Sequence, residues 1–181
     1  MFQIIKNDLK IMLSNYRYEH SLLVAEEAKL LAKHYNLNYE KAYLSGLVHD
    51  IAKDLSDEEN NYWIDKYNID KTFIEYKPVL HAEIGYYLVK EKYNLDDEIC
   101  YAIRYHSLGN INMSLFDKII FIADKIGRKN RNDLLDNIKL LAYQDIDKAM
   151  ILYLNYQKDK LIKDNKLFHN DSEDLLNYLS M

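Results

Sequence analysis

An all-α fold, a bundle of about eight to ten helices, is predicted by this 181-residue sequence on three observations. Only 4 Gly and 1 Pro are present, which leaves little material for hairpins and tight turns. Leu, Ile, Lys, Glu and Ala, all good or tolerable helix residues, are abundant. Apolar residues recur at helical spacing from end to end, separated by short polar turns and by no Ser/Gly/Pro-rich linker.

Taken in order, periodic segments predict helices over residues 2–14 and 19–35, the second with Leu23, Val24 and Leu31 following His20 on one face. Residues 39–53 continue the pattern with a small face, Ala42, Ser45 and Gly46, that lets other helices approach closely. Ser56 with Glu59 three residues on has the form of a capping box opening residues 57–67. Residues 68–80, which hold the only proline, Pro78, predict an irregular stretch before a helix over 81–93. Residues 96–106 carry Ile99, Ala102 and Ile103 ahead of His106, and Ser114 is an N-cap for residues 115–125. Helices over 132–142, 146–163 and from Ser172 complete the chain, which reads as one domain over residues 1–181, the helices of 146–181 packing on the rest.

Lys plus Arg total 24 against 29 Asp plus Glu, a net charge of −5, which argues against a nucleic-acid partner. Apolar runs such as residues 119–123 are far too short to cross a bilayer, so no membrane partner is expected. The first ten residues alternate apolar and charged positions unlike a secretory signal, and a single cysteine, Cys100, agrees with a reducing compartment; a cytoplasmic location follows.

Of the six histidines, His20, His81 and His106 lie at predicted helix ends whose apolar stripes aim the rings inward, and His49 lies on the predicted helix over 39–53 with the small face Ala42, Ser45 and Gly46 behind it. Asp124 follows Ile120 and Phe121 at the same spacing, which aims a carboxylate at the core, where it needs a cation. Asp50 adjoins His49. Alone, each is an ordinary half-buried histidine or helix-end aspartate. Together they offer the imidazole and carboxylate mixture of iron, manganese and zinc catalytic sites. His34 reads as a helix C-terminal histidine favoured by the dipole, and His169 as a solvated one.

The order His20, His49-Asp50, Asp124 resembles the HD-domain phosphohydrolase superfamily. The blocks Arg17-Tyr18-Glu19-His20, Val48-His49-Asp50-Ile51-Ala52-Lys53, His81-Ala82-Glu83-Ile84-Gly85, Ala102-Ile103-Arg104-Tyr105-His106 and Ile122-Ala123-Asp124 are similar to the YqeK family of bacterial HD proteins, in register over residues 17–149. That resemblance implies symmetrical hydrolysis of diadenosine tetraphosphate to two ADP at a dinuclear transition-metal centre, iron in the family, with Mn, Co or Zn compatible with the same ligands. It also implies that His20, His49 and Asp124 bind one metal, His81 and His106 the other, and that Asp50 bridges them.

Two departures stand out. Ser107 replaces the family's threonine after His106, and Lys125-Ile126-Gly127-Arg128-Lys129-Asn130-Arg131 replaces a hydrophobic-Glu-Pro sequence with a following arginine. Arg128 and Arg131 are expected to contact phosphate in place of that arginine, with Arg17, Arg104, Ser107 and Lys53 as further substrate contacts. Lys53 is also expected to neutralise the leaving phosphate or orient Asp50. Alternatives are a phosphohydrolase of mononucleotides or other nucleotide anions, and a sensing module that binds nucleotide without turnover. A homodimer is the expected assembly.

Overall fold

The computed structural model describes residues 2–181, except for the side chains of Lys71, Glu75, Lys77 and Pro78. Among the described residues the chain forms eleven helices and no strand. They are α1 (Phe2–Met12), α2 (Asn15–His34), α3 (Tyr39–Val48), α4 (Asp57–Tyr67), α5 (Lys71–Glu75), α6 (Lys77–Tyr93), α7 (Asp97–Tyr105), α8 (Leu115–Ile126), α9 (Asp133–Ala142), α10 (Ile146–Lys163) and α11 (Asn170–Leu179). Among the described residues no helix is long and apolar enough to cross a membrane.

Side-chain caps explain most of the starts. Ser56 and Glu59 form a reciprocal capping box on α4, and Ser114 and Asp117 form a second on α8. Asn38, Asp96, Asn132 and Asp145 accept backbone N–H groups in the first turns of α3, α7, α9 and α10. Asn68 and Asn94 end α4 and α6 in the left-handed conformation, which asparagine tolerates better than most residues.

Three expectations need correction. The 68–80 stretch is not irregular: it holds α5, and α6 begins at Lys77 with Pro78 in its first turn, where a missing N–H leaves no hydrogen bond unmade. Helix α3 stops at Val48 instead of running to Lys53, and residues 49–54 continue as tight turns, with Ile51 N–H bonded to the Val48 carbonyl and Lys53 N–H to the Asp50 carbonyl. Helix α2 begins at Asn15, where the Asp54 carboxylate accepts the Ser14 N–H at 2.9 Å and anchors the helix start from across the fold.

Two apolar clusters share α2. One gathers Val24, Leu31, Phe121, Ile122, Ile138, Met150 and Leu154 from α2, α8, α9 and α10. The other gathers Ile5, Leu9, Leu47, Ile84, Val89 and Ile103 from α1, α3, α6 and α7, and Ala25 joins it from α2. Helices α10 and α11 pack on the first cluster through Met150, Leu154, Leu175 and Leu176. Close approach of α2 to its neighbours depends on glycine: a Cβ on Gly46 would stand 2.8 Å from Ala25 Cα, and one on Gly127 would stand 2.8 Å from Val24 Cα.

Candidate metal centre

Five segments deliver ligand-type side chains to one point. His20 projects from α2, His81 from α6 and Asp124 from α8, while His49 with Asp50 follows α3 and His106 follows α7. His49, Asp50, His81, His106 and Asp124 are buried. Three overlapping groups, His20/His49/Asp50, His49/His106/Asp124 and Asp50/His81/His106, each offer ligand atoms within 4.8 Å of one another.

Backbone carbonyls orient three of the rings. His49 and His106 are the C-caps of their helices, and each donates its Nδ1–H to the carbonyl three residues back, Gly46 at 2.8 Å and Ile103 at 2.6 Å. His20 donates its Nδ1–H to the Gly127 carbonyl at 3.0 Å. With Nδ1 so committed, a neutral ring turns an Nε2 lone pair inward. His20 Nε2 then faces Asp124 Oδ1 at 3.0 Å, with His49 Nε2 3.4 Å from the same oxygen. His49 Nε2 is buried and makes no hydrogen bond among the described residues. A ring nitrogen facing a carboxylate at these distances needs positive charge there, from a proton or a metal ion. Burial opposes a proton on His49, but Asp50 and Asp124 prevail and raise its pKa, and the donor set also suits a transition metal.

Asp50 stands between the groups. Its Oδ2 is 3.7 Å from His49 Nε2, and its Oδ1 is 3.1 Å from His81 Nε2 and 3.4 Å from His106 Nε2. Burial opposes its ionisation, but His49, His106 and His81 outweigh burial and hold the carboxyl far below the usual range. Burial pushes the His81 ring down to about 3, so it is neutral and able to ligate. Among the described residues His81 has no carbonyl partner. Lys53 Nζ lies 3.0 Å from its Nδ1 and 2.9 Å from its Nε2, and 3.9 Å from Asp50 Oδ1; burial lowers the lysine's pKa. Ser107 Oγ is 3.2 Å from His81 Nε2 and 3.1 Å from His106 Nε2.

A cavity of about 350 Å³ opens over the centre, walled by Arg17, Lys53, Lys125 and Arg128 along with His20, Asp50 and Asp124. Arg17 is tied to Asp54 at 2.6 Å, with its guanidinium 4.0 Å from Asp50 Oδ2. Two expected phosphate contacts lie elsewhere. Arg104 pairs through Nε and Nη2 with the two oxygens of Glu83 at 2.7 and 2.6 Å, because two residues along α7 from His106 its side chain leaves on the far face. Arg131 bonds the Asp136 carboxylate at 2.8 Å and the Ile126 carbonyl at 3.2 Å, fastening the 127–132 loop to α9 and α8. Lys125, the first residue of the replaced segment, is buried against Asp124.

Sequence reasoning passed over Tyr16, Tyr76 and Gln157, which also line the cavity. Seventeen tyrosines gave no means of choosing two, and Gln157 comes from α10, remote from every ligand block. His169 is not simply solvated but caps α11, its Nδ1 accepting the Asp171 N–H at 3.2 Å.

Residues 17–129 match the HD domain family. The chain belongs to that family. Its similarity extends to proteins named symmetrical bis(5'-nucleosyl)-tetraphosphatase. That of Halalkalibacterium halodurans is 34% identical over 91% of this chain and 89% of its own length, and that of Bacillus subtilis is 31% identical over 94% and 93%. A Clostridium acetobutylicum crystal structure, described as a predicted HD superfamily hydrolase involved in NAD metabolism, is 32% identical, with a TM-score of 0.93 over 99% of this chain and 97% of that one. As an HD hydrolase the chain is metal-dependent, and the inward Nε2 atoms and the two carboxylates are where it can hold its metal.

Proposed function

We propose that this HD-domain chain cleaves diadenosine tetraphosphate symmetrically to two ADP at a dinuclear centre, with iron as the metal. His20, His49 and Asp124 form one ligand set, His81 and His106 the other, and Asp50 is shared. The observation that carries this reading is the division of the Asp50 carboxylate, one oxygen toward His49 and the other toward His81 and His106. Near-full-length likeness to enzymes named for this reaction supports the substrate.

When bound, a metal pair supplies Lewis acidity that makes water nucleophilic near neutral pH and polarises phosphoryl oxygens. The chain's own residues do the rest. Arg17, Lys53 and Arg128 face the cavity and oppose the charge of a tetraphosphate that an acidic protein would otherwise repel. Asp54 keeps the Arg17 side chain extended over Asp50, so its orientation precedes substrate binding. Water attacks an inner phosphorus, a new P–O bond forms, and the anhydride bond between the two central phosphates breaks to release ADP from each half. Phosphate leaving groups are weakly basic, so no strong general acid is needed; Lys53, beside His81, offsets the charge that develops on the departing oxygen.

Turnover by chelator-stripped protein reloaded anaerobically with Fe, Mn, Co or Zn, offered diadenosine tetraphosphate and a panel of mononucleotides, tests the proposal. The dinucleotide should be turned over fastest, and iron should restore activity. Preferential hydrolysis of mononucleotides, or binding without turnover, would replace this reading.

A further inference from the structure

Resting on the symmetrical-hydrolase reading, we propose that a second cavity beside the metal centre, walled by one face of α4, is a pocket for one terminal nucleoside of the substrate. A molecule cut at its middle sends two equal halves away from the reacting phosphorus in different directions, so the site needs a place for each nucleoside. The first cavity leaves the centre on the side of Arg17 and Arg128. The second leaves it on the side of His81, and Lys53 borders both.

At about 540 Å³ the second cavity falls within the roughly 300–1,000 Å³ of small-molecule pockets. Its wall on α4 is Asp57, Asn60, Asn61 and Ile64, spaced i, i+3, i+4, i+7, so all four share one helix face. Asp57 and Asn61 are exposed, while Asn60 and Ile64 are half-buried, Ile64 packing in part on the second apolar cluster, so the stripe presents an open polar edge beside a partly covered apolar one. Ile74 and Leu80 oppose it from α5 and α6.

The chemistry suits a nucleoside better than a phosphate. Ile64, Ile74 and Leu80 offer apolar surface to a purine ring, whereas the cations that recognise phosphate are concentrated in the first cavity. Asn60 donates to the Leu55 carbonyl at 3.3 Å, which orients its amide and leaves its carbonyl oxygen to accept. The Asn61 amide has no hydrogen-bond partner among the described residues. Such amides offer the donor and acceptor pair that matches an adenine edge. The Asp57 carboxylate on the same face disfavours phosphate and can accept from ribose hydroxyls. Lys53 at the mouth is where the phosphate chain would pass between the two cavities.

Calorimetric titration of metal-loaded protein with ADP should find two sites per chain. Asn61→Ala, at an exposed position, should weaken one of them by roughly 3- to 10-fold and leave the other unchanged. It should raise KM for diadenosine tetraphosphate by a similar factor with kcat within twofold. Ile64→Ala should do the same, and both variants should lose much of the preference for the dinucleotide over adenosine 5'-tetraphosphate, which has no second nucleoside. One ADP site per chain, or wild-type ADP affinities and KM in both variants, overturns the pocket. Wild-type protein that cleaves diadenosine tetraphosphate with Asn61→Ala unaffected removes the pocket and keeps the function. Wild-type protein that binds two ADP, one of them sensitive to Asn61→Ala, yet leaves the dinucleotide intact keeps the pocket and removes the function.

Discussion

Lys125 Nζ lies 2.6 Å from Asp124 Oδ2, on the opposite side of the carboxylate from the oxygen that faces His20 and His49. The same ammonium donates to the His106 carbonyl at 3.1 Å and sits 4.8 Å from the Phe121 ring centroid. One buried lysine therefore fixes which oxygen Asp124 presents to the centre and ties α8 to the turn after α7. Burial disfavours its charge, but Asp124 prevails and raises its pKa.

Replacing Lys125 with methionine keeps the volume and removes the charge. Asp124 is then a buried carboxylate without its ammonium, a loss of about 3–5 kcal/mol when one partner of such a pair is removed. Urea unfolding of metal-stripped Lys125→Met should show a deficit of that order, narrowing when metal is returned. Equal midpoints for the two stripped proteins would contradict this role.

Asp50→Ala should be the most damaging single change, because its two oxygens face different ligand sets. Elemental analysis should find close to two metals per wild-type chain and clearly fewer in the variant, with turnover abolished. Wild-type activity and metal content in Asp50→Ala would show that the ligand assignment is wrong.

Arg128 and Arg131 should separate cleanly. Arg128 lines the cavity, so Arg128→Ala should lower kcat/KM by roughly 10- to 150-fold, the range of a charge-assisted contact, with metal content unchanged. Arg131 serves Asp136 and the Ile126 carbonyl, so Arg131→Ala should leave kcat/KM near wild type and lower the melting temperature. Measuring both quantities on both variants checks the division, and the reverse pattern would overturn it.

Acid should loosen the attachment of α1. Hydrogen bonds from Lys92 and Tyr93 hold the Asp8 carboxyl below its ordinary value of 3.8. Because the folded value is the lower one, the stabilisation is complete above the ordinary value and is lost as pH falls through the folded one. Asp8→Asn should thus be less stable than wild type at pH 7 by at most about 1 kcal/mol, with the gap closing in acid. A gap that persists at pH 2 would assign the effect to packing.

Much of this architecture is legible along the chain because its signals are local. Ser56 and Glu59, or Ser114 before an apolar run, announce a helix start within four residues, and α4 and α10 fall where periodicity puts them. The inward aim of His20, His81, His106 and Asp124 follows from the apolar stripes they share. Relationships between distant segments have no such signal. The pairing of Arg104 with Glu83, the burial of Lys125 and the tether from Asp54 to Arg17 and Ser14 depend on how helices face one another. Pro78 misled because proline reads equally as a break and as a first-turn residue. The end of α3 at Val48 is equally silent in composition.

Product analysis tests the central claim most directly. Anaerobically prepared, iron-loaded protein should convert diadenosine tetraphosphate in oxygen-18 water to ADP as essentially the only nucleotide, with one label for every two ADP molecules formed. AMP and ATP in equal amounts would mean attack away from the centre of the chain and would contradict symmetrical cleavage.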